Sequence, residues 1–282
     1  SFLPKISKTL ILSLLLTSFP LVAQSQDSKN GYPTYVDLTA KPGSQRNIGE
    51  LNIMAPIAQK LDSMTFVNLR GQVDNNDSSE FNLGLGNRSI VNTLLGDGEM
   101  VFGYYGFLDV RNSENSNQFY QVTLGYEFLS DYLDFRNNYY TPINQEESIS
   151  LRNQRLVEEN DTILMQYQNK EKALYGSDFE VGTNLPWLIP FNKSLRNQFR
   201  VYGGAYYFTN SDVKSIAGPR VRAELRLYDA DRLSFLPTGS ILTISGEYQE
   251  DNVRGDQKFS ALRLSVPLQK VSRRDRLSGA VN

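Results

Sequence analysis

The chain of 282 residues carries 29 Lys and Arg against 31 Asp and Glu, and a formal charge of −2 gives no electrostatic drive toward nucleic acid. It contains neither cysteine nor histidine, which excludes disulfides, thiolate chemistry, a Ser-His-Asp triad and any His-containing zinc site. Hydrophobic residues make up 40%, slightly little for a dry core in a chain of this length, while 16 Tyr and 15 Phe suit an amphipathic sheet with many rings at an interface.

At the N-terminus, Lys5 and Lys8 precede the apolar run TLILSLLLTSF, then Pro20, Leu21, Val22 and Ala23, then polar QSQDSKNG. A positive start, a short apolar stretch and a small residue near its end predict a secretory signal over residues 1–23, followed by a short periplasmic lead over 24–33. Thr9 to Phe19 would span roughly 16 Å as a helix, about half a bilayer core. The plainer alternative is a short buried helix. No later stretch approaches a transmembrane helix, so an exported chain is periplasmic, secreted or an outer-membrane β-barrel.

From there the pattern has period two rather than 3.6. It predicts strands over 34–40, 48–56, 64–74, 80–91, 99–111, 118–129, 131–142, 173–186, 198–209, 217–228, 240–251 and 257–267. Many are longer than the roughly 5–6 residues usual in soluble sheets and match the roughly 9–11 that cross a bilayer at a tilt. In YQVTLGYEFLSDYLDFRNNYY, Tyr120, Val122, Leu124, Tyr126 and Phe128 alternate with Gln121, Thr123, Gly125 and Glu127. The tight turn at Ser130 and Asp131 then restarts the alternation.

Two architectures fit such faces. A soluble sandwich hides the apolar face and shows the polar one to water. A membrane barrel does the reverse. Strands this long and numerous would need large covering elements in a sandwich, and the chain offers none. Closure into a barrel also leaves no unpaired edge. The predicted fold is therefore an all-β, transmembrane antiparallel barrel of about twelve strands over residues 34–268.

The parity then assigns faces. Toward the lumen it places Arg70, Arg88, Asp109, Arg111, Asp134, Arg136, Asp178, Glu180, Arg200, Arg222, Glu224, Glu247 and Arg263. Toward lipid it places Val122, Leu124, Tyr126, Phe179, Val181, Leu225, Leu227, Leu242, Ile244, Leu262 and Leu264. The charges would line a wet lumen that holds or passes an extended chain, or would stabilise the barrel by mutual pairing. Nothing brings two particular acids together as glycoside hydrolysis requires, so no enzymatic activity, cofactor or metal is expected. Outer-membrane barrels have short periplasmic turns and longer outer loops. With both termini on the periplasmic side, the turn at 130–131 is periplasmic and the long polar segment 143–172 is external. Within that segment TILMQYQN is a strand above the membrane, unless it crosses and changes the count.

GLGNRS at 84–89 sits within a strand and opens no helix, so a dinucleotide reading fails. Gly84 and Gly86 more simply leave room for a neighbour. Tyr104, Tyr105, Tyr139, Tyr140, Tyr206, Tyr207 and Tyr248 suit an aromatic girdle or ordinary cross-strand pairing. Trp187, between Pro186 and Pro190, suits an interfacial anchor.

Several blocks resemble the translocator domain of the inverse autotransporters, the intimin and invasin family. They are ELNIMAPIAQKLDSMTFVNLRGQ, FNLGLGNRSI, VFGYYGFLDVRN with Gly103, Phe107 and Asp109, QVTLGYEFLSDYLDFRNNYYTPI, YGSDFEVGTNLP and the closing RRDRLSGAVN. Together they span residues 34 to 282. The resemblance implies a twelve-stranded pore in the cell outer membrane, reached after export through the inner membrane. Its partners would be outer-membrane lipid, the outer-membrane assembly machinery and the protein's own C-terminal passenger, often an adhesin. In that family a linker leaves the last strand and passes back through the lumen; residues 269–282 would begin it. The polar residues after QKFSALRLSVPL suit a barrel meant to be followed by something. The rival reading is a stand-alone porin or channel without a passenger.

Overall fold

In the computed structural model, residues 32–92, 98–148, 156–159, 162–167, 170–189, 197–211, 213–228 and 235–269 are described. The predicted signal, most of the lead and nearly all of the tail lie outside them. Twelve strands form a closed barrel. They are β1 (Tyr35–Pro42), β2 (Asn47–Gln59), β3 (Ser63–Asp74), β4 (Ser79–Asn92), β5 (Glu99–Asn112), β6 (Gln118–Leu129) and β7 (Leu133–Pro142), then β12 (Tyr175–Asn184), β13 (Gln198–Thr209), β14 (Ile216–Leu227), β15 (Ile241–Asp251) and β16 (Gly255–Pro267). Every neighbouring pair is antiparallel, and β1 closes on β16 from Tyr35↔Pro267 to Ala40↔Leu262. Each predicted strand is present with its ends shifted by a few residues. The largest shift is in β2, which runs on through a bulge between Pro56 and Ala58.

The segment expected as a polar loop is more ordered than its composition suggests. After β7 it forms β8 (Glu146–Ser148), β9 (Leu156–Glu159), β10 (Thr162–Tyr167) and β11 (Lys170–Ala173), a separate sheet of order β8-β11-β10-β9. The TILMQY strand thus stands outside the wall, and the barrel count remains twelve. Local charge pairing supports it: the Lys170 ammonium donates to Glu146 at 2.6 Å. That contact lowers the Glu146 carboxyl pKa from its ordinary value.

Antiparallel winding sorts the connections between two ends. The described termini and the β2–β3, β4–β5, β6–β7, β12–β13 and β14–β15 connections share one, here the terminal end. The small sheet and the remaining connections share the other, the sheet end. The expectation of short turns at the terminal end holds only in part. Residues 185–197 and 228–240 there exceed every sheet-end connection except the small-sheet excursion.

Turn chemistry at the two ends differs. At the β3–β4 turn the Asp74 carboxylate accepts the Asn76 and Ser78 N–H groups at 2.9 and 3.0 Å, and Asp77 takes φ +67. At the β6–β7 turn the Ser130 hydroxyl accepts the Leu133 N–H at 2.9 Å. Apolar packing inside the barrel gathers in patches rather than one core. Tyr140, Leu174, Tyr206, Phe208 and Ile216 pack together, with Val213 and Val253 tucked against them. Met54, Met64 and Phe66 pack separately.

Candidate functional site: the barrel lumen

Register fixes which side chains meet inside. On β6 and β7, Glu127 pairs with Arg136, and on β12 Arg136 faces Glu180. The Arg136 guanidinium lies 3.2 Å from Glu127 and 3.9 Å from Glu180. The row extends in both directions by reaching across a strand. Arg88 of β4 donates to Glu127 at 2.6 Å over β5, where the intervening residue is Gly103. A Cβ at Gly103 would stand 2.8 Å from the Glu127 carboxylate and 3.2 Å from the Arg88 chain. On the other side Arg222 of β14 reaches Glu180 across β13 and also pairs with Glu224. Glu224 accepts Arg226 at 2.8 Å. Arg226 also donates to the Tyr202 hydroxyl at 2.8 Å, which donates to Asp134 at 2.9 Å beside Arg200 at 2.8 Å.

A second row lies beside the first. The Tyr105 hydroxyl donates to Asn138 at 2.7 Å, Asn138 donates to Asp178 at 2.8 Å, and Arg220 donates to Asp178 at 3.0 Å. The two rows brace the wall from β4 round to β14. Charged hydrogen bonds of this kind are stronger than neutral ones, and each ion has a partner, as groups withdrawn from water require. On the opposite wall Lys41 reaches over the Phe259 ring, 4.5 Å from its centroid, to Glu247 at 3.4 Å. Arg263 there meets the Thr39 hydroxyl at 3.4 Å.

The lumen holds cavities of about 250 and about 290 Å³. Arg70, Asn138, Tyr140 and Arg263 line both. The first also meets Asp37, Arg88, Glu127 and Arg136, and the second Lys41, Glu180, Arg220, Arg222 and Glu247. Basic and acidic groups thus share a polar space with the rings of Phe66, Tyr105, Phe107 and Phe259. Over Gly84 the Phe107 ring comes so near that an added Cβ would sit 2.2 Å from it. The room left by Gly84 and Gly86 is filled by rings of this same barrel.

Arg70, Arg88, Arg136, Asp178, Glu180, Arg222, Glu224, Glu247 and Arg263 line the cavities. Asp109, Arg111, Asp134 and Arg200 are buried within the same face. Asp109 accepts Thr123 at 2.5 Å and Asn82 at 2.6 Å, so it is bound into the wall rather than free in the channel. The opposite set faces out: Leu124, Phe179, Val181, Ile244 and Leu262 are exposed, and Val122, Tyr126, Leu225, Leu227, Leu242 and Leu264 are partly so. The site also uses Lys41, Glu127, Arg220 and Arg226, which carry the same period-two parity. The tyrosines divide: Tyr105, Tyr140 and Tyr206 belong to the interior, while Tyr104, Tyr139 and Tyr207 are exposed. Among the described residues no group of acids is placed to hold a metal ion.

The family model for "Inverse autotransporter, beta-domain" matches residues 12–215. Strands β14 to β16 lie beyond the match yet close the barrel. No curated protein sequence matches the chain. Among solved structures, one described as "Unveiling the Mechanism Behind the in-meso Crystallization of Membrane Proteins" is 15% identical with a TM-score of 0.58, covering 85% of both chains, and so has the same fold. The NanC porin is 10% identical with a TM-score of 0.46, over 83% of this chain and all of its own. The outer membrane protein OprD from Pseudomonas aeruginosa is 12% identical with a TM-score of 0.39, over 79% of this chain and 59% of its own.

Proposed function

The chain belongs to the inverse autotransporter β-domain family, an outer-membrane barrel, and from that premise we propose that it anchors and exports a C-terminal, surface-exposed passenger with an adhesive role. The apolar outer wall fixes the barrel in outer-membrane lipid, and the assembly machinery of that membrane inserts it. The terminal end faces the periplasm and the small sheet faces outward. The passenger crosses the lumen as an extended chain, and its folding outside makes export one-way. The chain's own contribution is physical rather than covalent. A closed wall satisfies every backbone group that lipid cannot. Most of its charges are held by one another, so a polar polypeptide meets a largely compensated wall.

The observation that carries this reading is the lumen wall. A row of paired charges and a mixed polar row beside it border cavities of about 250 and about 290 Å³. A reporter domain fused after Asn282 tests it. Protease added to intact cells should remove the reporter while the barrel stays folded, and a reporter that remains protected behind a folded barrel would overturn the proposal. The same cavities favour a second reading, a diffusion channel without a passenger. Steady ion conductance by the purified barrel, together with failure to display any fusion, would support that reading instead.

A further inference from the structure

Most ions bordering the cavities are matched. Arg88 and Arg136 share Glu127, Arg220 meets Asp178, Arg222 meets Glu180 and Lys41 meets Glu247. Arg263 of β16 is not. It borders both cavities, yet among the described residues no carboxylate reaches ion-pair distance of it. Its Nε donates to the Thr39 hydroxyl at 3.4 Å, which leaves the two terminal amino groups of the guanidinium without an acceptor among those residues. The acid of β1, Asp37, is held from the other side, where Asn52 of β2 donates to it at 2.9 Å.

Further unused donors border the same space. Tyr140 of β7 borders both cavities and is only 3% exposed, and its hydroxyl has no hydrogen-bond partner among the described residues. The Asn68 amide of β3 borders the first cavity in the same condition. A buried polar group normally has a partner, so a deeply buried hydroxyl facing a cavity points to something that fills it. In barrel order β5 and β7 flank the strand opposite β16. From β5 come Tyr105 and Phe107, whose rings meet edge to face with centroids 5.7 Å apart and border the first cavity. One wall of that cavity therefore presents a guanidinium and the facing wall presents rings.

Charge and size then select the ligand. Of the described residues around the first cavity, Arg70, Arg88, Arg136 and Arg263 are cationic, and Asp37 and Glu127 are anionic. That balance favours an anion. The planar fork of a guanidinium matches a carboxylate in two hydrogen bonds. The volume of about 250 Å³ lies below the roughly 300–1,000 Å³ of sites for drug-sized ligands, so the guest is small. The rings favour an apolar body beside its charge.

We propose that the first cavity is a binding site for a small organic carboxylate with an apolar body. Arg263 holds its charge, Tyr140 supplies a further donor, and Tyr105 and Phe107 face its body. The site does not depend on a passenger. An Asp or Glu side chain of a polypeptide in the lumen carries the same charged group, but it brings no apolar body to the rings, so the free acid is the better fit.

Calorimetric titration of the purified full chain in detergent micelles, folded by gel mobility, tests this with benzoate as the probe. Benzoate should bind saturably. Its neutral isostere benzamide should bind at least about tenfold more weakly, as loss of a charge-assisted contact entails. Arg263→Gln should weaken benzoate by about the same factor. Tyr140→Phe keeps its ring in the cluster with Leu174 and Phe208 and should weaken it about threefold. Lys258→Gln removes an equal charge from an exposed side chain and should leave affinity unchanged. Benzamide and Tyr140→Phe keep the test decisive if Arg263→Gln does not fold. No saturable benzoate binding by the parent, equal binding of benzamide, or parental affinity in Arg263→Gln and Tyr140→Phe would overturn the site. Tighter binding of the acidic peptide acetyl-Gly-Glu-Gly-amide than of benzoate would also overturn it and would assign the cavity to a polypeptide in transit.

Discussion

Arg88 and Glu127 belong to strands two apart in the wall, yet their side chains meet at 2.6 Å because Gly103, between them, has no Cβ. The glycine acts as a saddle over which an ion pair bridges a strand. Gly103→Val should therefore disturb more than one position. It should push the Glu127 carboxylate off Arg88 and cost about 1–3 kcal/mol, as overpacking does. At Gly203 and Gly246 an added Cβ meets nothing within 4 Å, so Gly203→Ala and Gly246→Ala should be nearly neutral. Urea unfolding in lipid vesicles measures all three, and equal losses would show that the saddle is not what Gly103 supplies.

The face assignment predicts unequal costs for the same charge. Leu124→Arg puts a guanidinium on the exposed outer wall and should cost about 2–4 kcal/mol at the bilayer midplane. Ser245→Arg places it inside, where Ser245 lines the larger cavity beside Glu247 and Glu224, and should leave folding yield near that of the parent. Heat-modified gel mobility after refolding compares them.

The closing seam relies on side chains where its ladder thins. Regular β1–β16 pairing stops at Ala40↔Leu262, Pro42 has no N–H to donate, and a single bridge follows at Gly43↔Phe259. Lys41 spans this stretch to Glu247. Lys41→Met should lower the temperature at which the folded band converts, by removing the cation that ties Glu247 to β1. Lys41→Met with Glu247→Gln should recover part of the loss, because removing both charges costs less than stranding one.

A buried carboxylate fastens the small sheet to the rim. Glu171 of β11 accepts Ser113 at 2.7 Å, Asn115 at 2.7 Å and Asn117 at 2.8 Å, all from the β5–β6 turn. Glu171→Ala should strand those donors, cost about 1–3 kcal/mol locally and speed external proteolysis of the 143–174 connection while gel mobility of the barrel is unchanged.

How far these relationships were legible in the sequence follows from their range. Alternation is local, so the wall strands and the inward and outward parities could be read from runs such as Arg220 to Leu227, and those parities already include Glu127 and Arg220. The saddle at Gly103 could not, because it depends on register between three strands, which turn geometry sets. Glu171 looked like one acid in a polar run. Its three partners lie more than fifty residues away in sequence, and only closure of the barrel brings them together. Of the small sheet only the TILMQY strand was legible, because its other strands are three or four residues long, too short to show a period of two.

The absence of native cysteine makes the central claim directly measurable in cells. Ser245→Cys places a thiol on the lumen wall, and a second cysteine can be placed in a short polar stretch joining Asn282 to a folded reporter. If the chain beyond the barrel runs through the lumen, oxidation should trap a disulfide between the two in cells that display the reporter, and a cysteine at Leu124 on the outer wall should give none. Display of the reporter with no lumen crosslink from any of several linker positions would contradict the lumen as the export path.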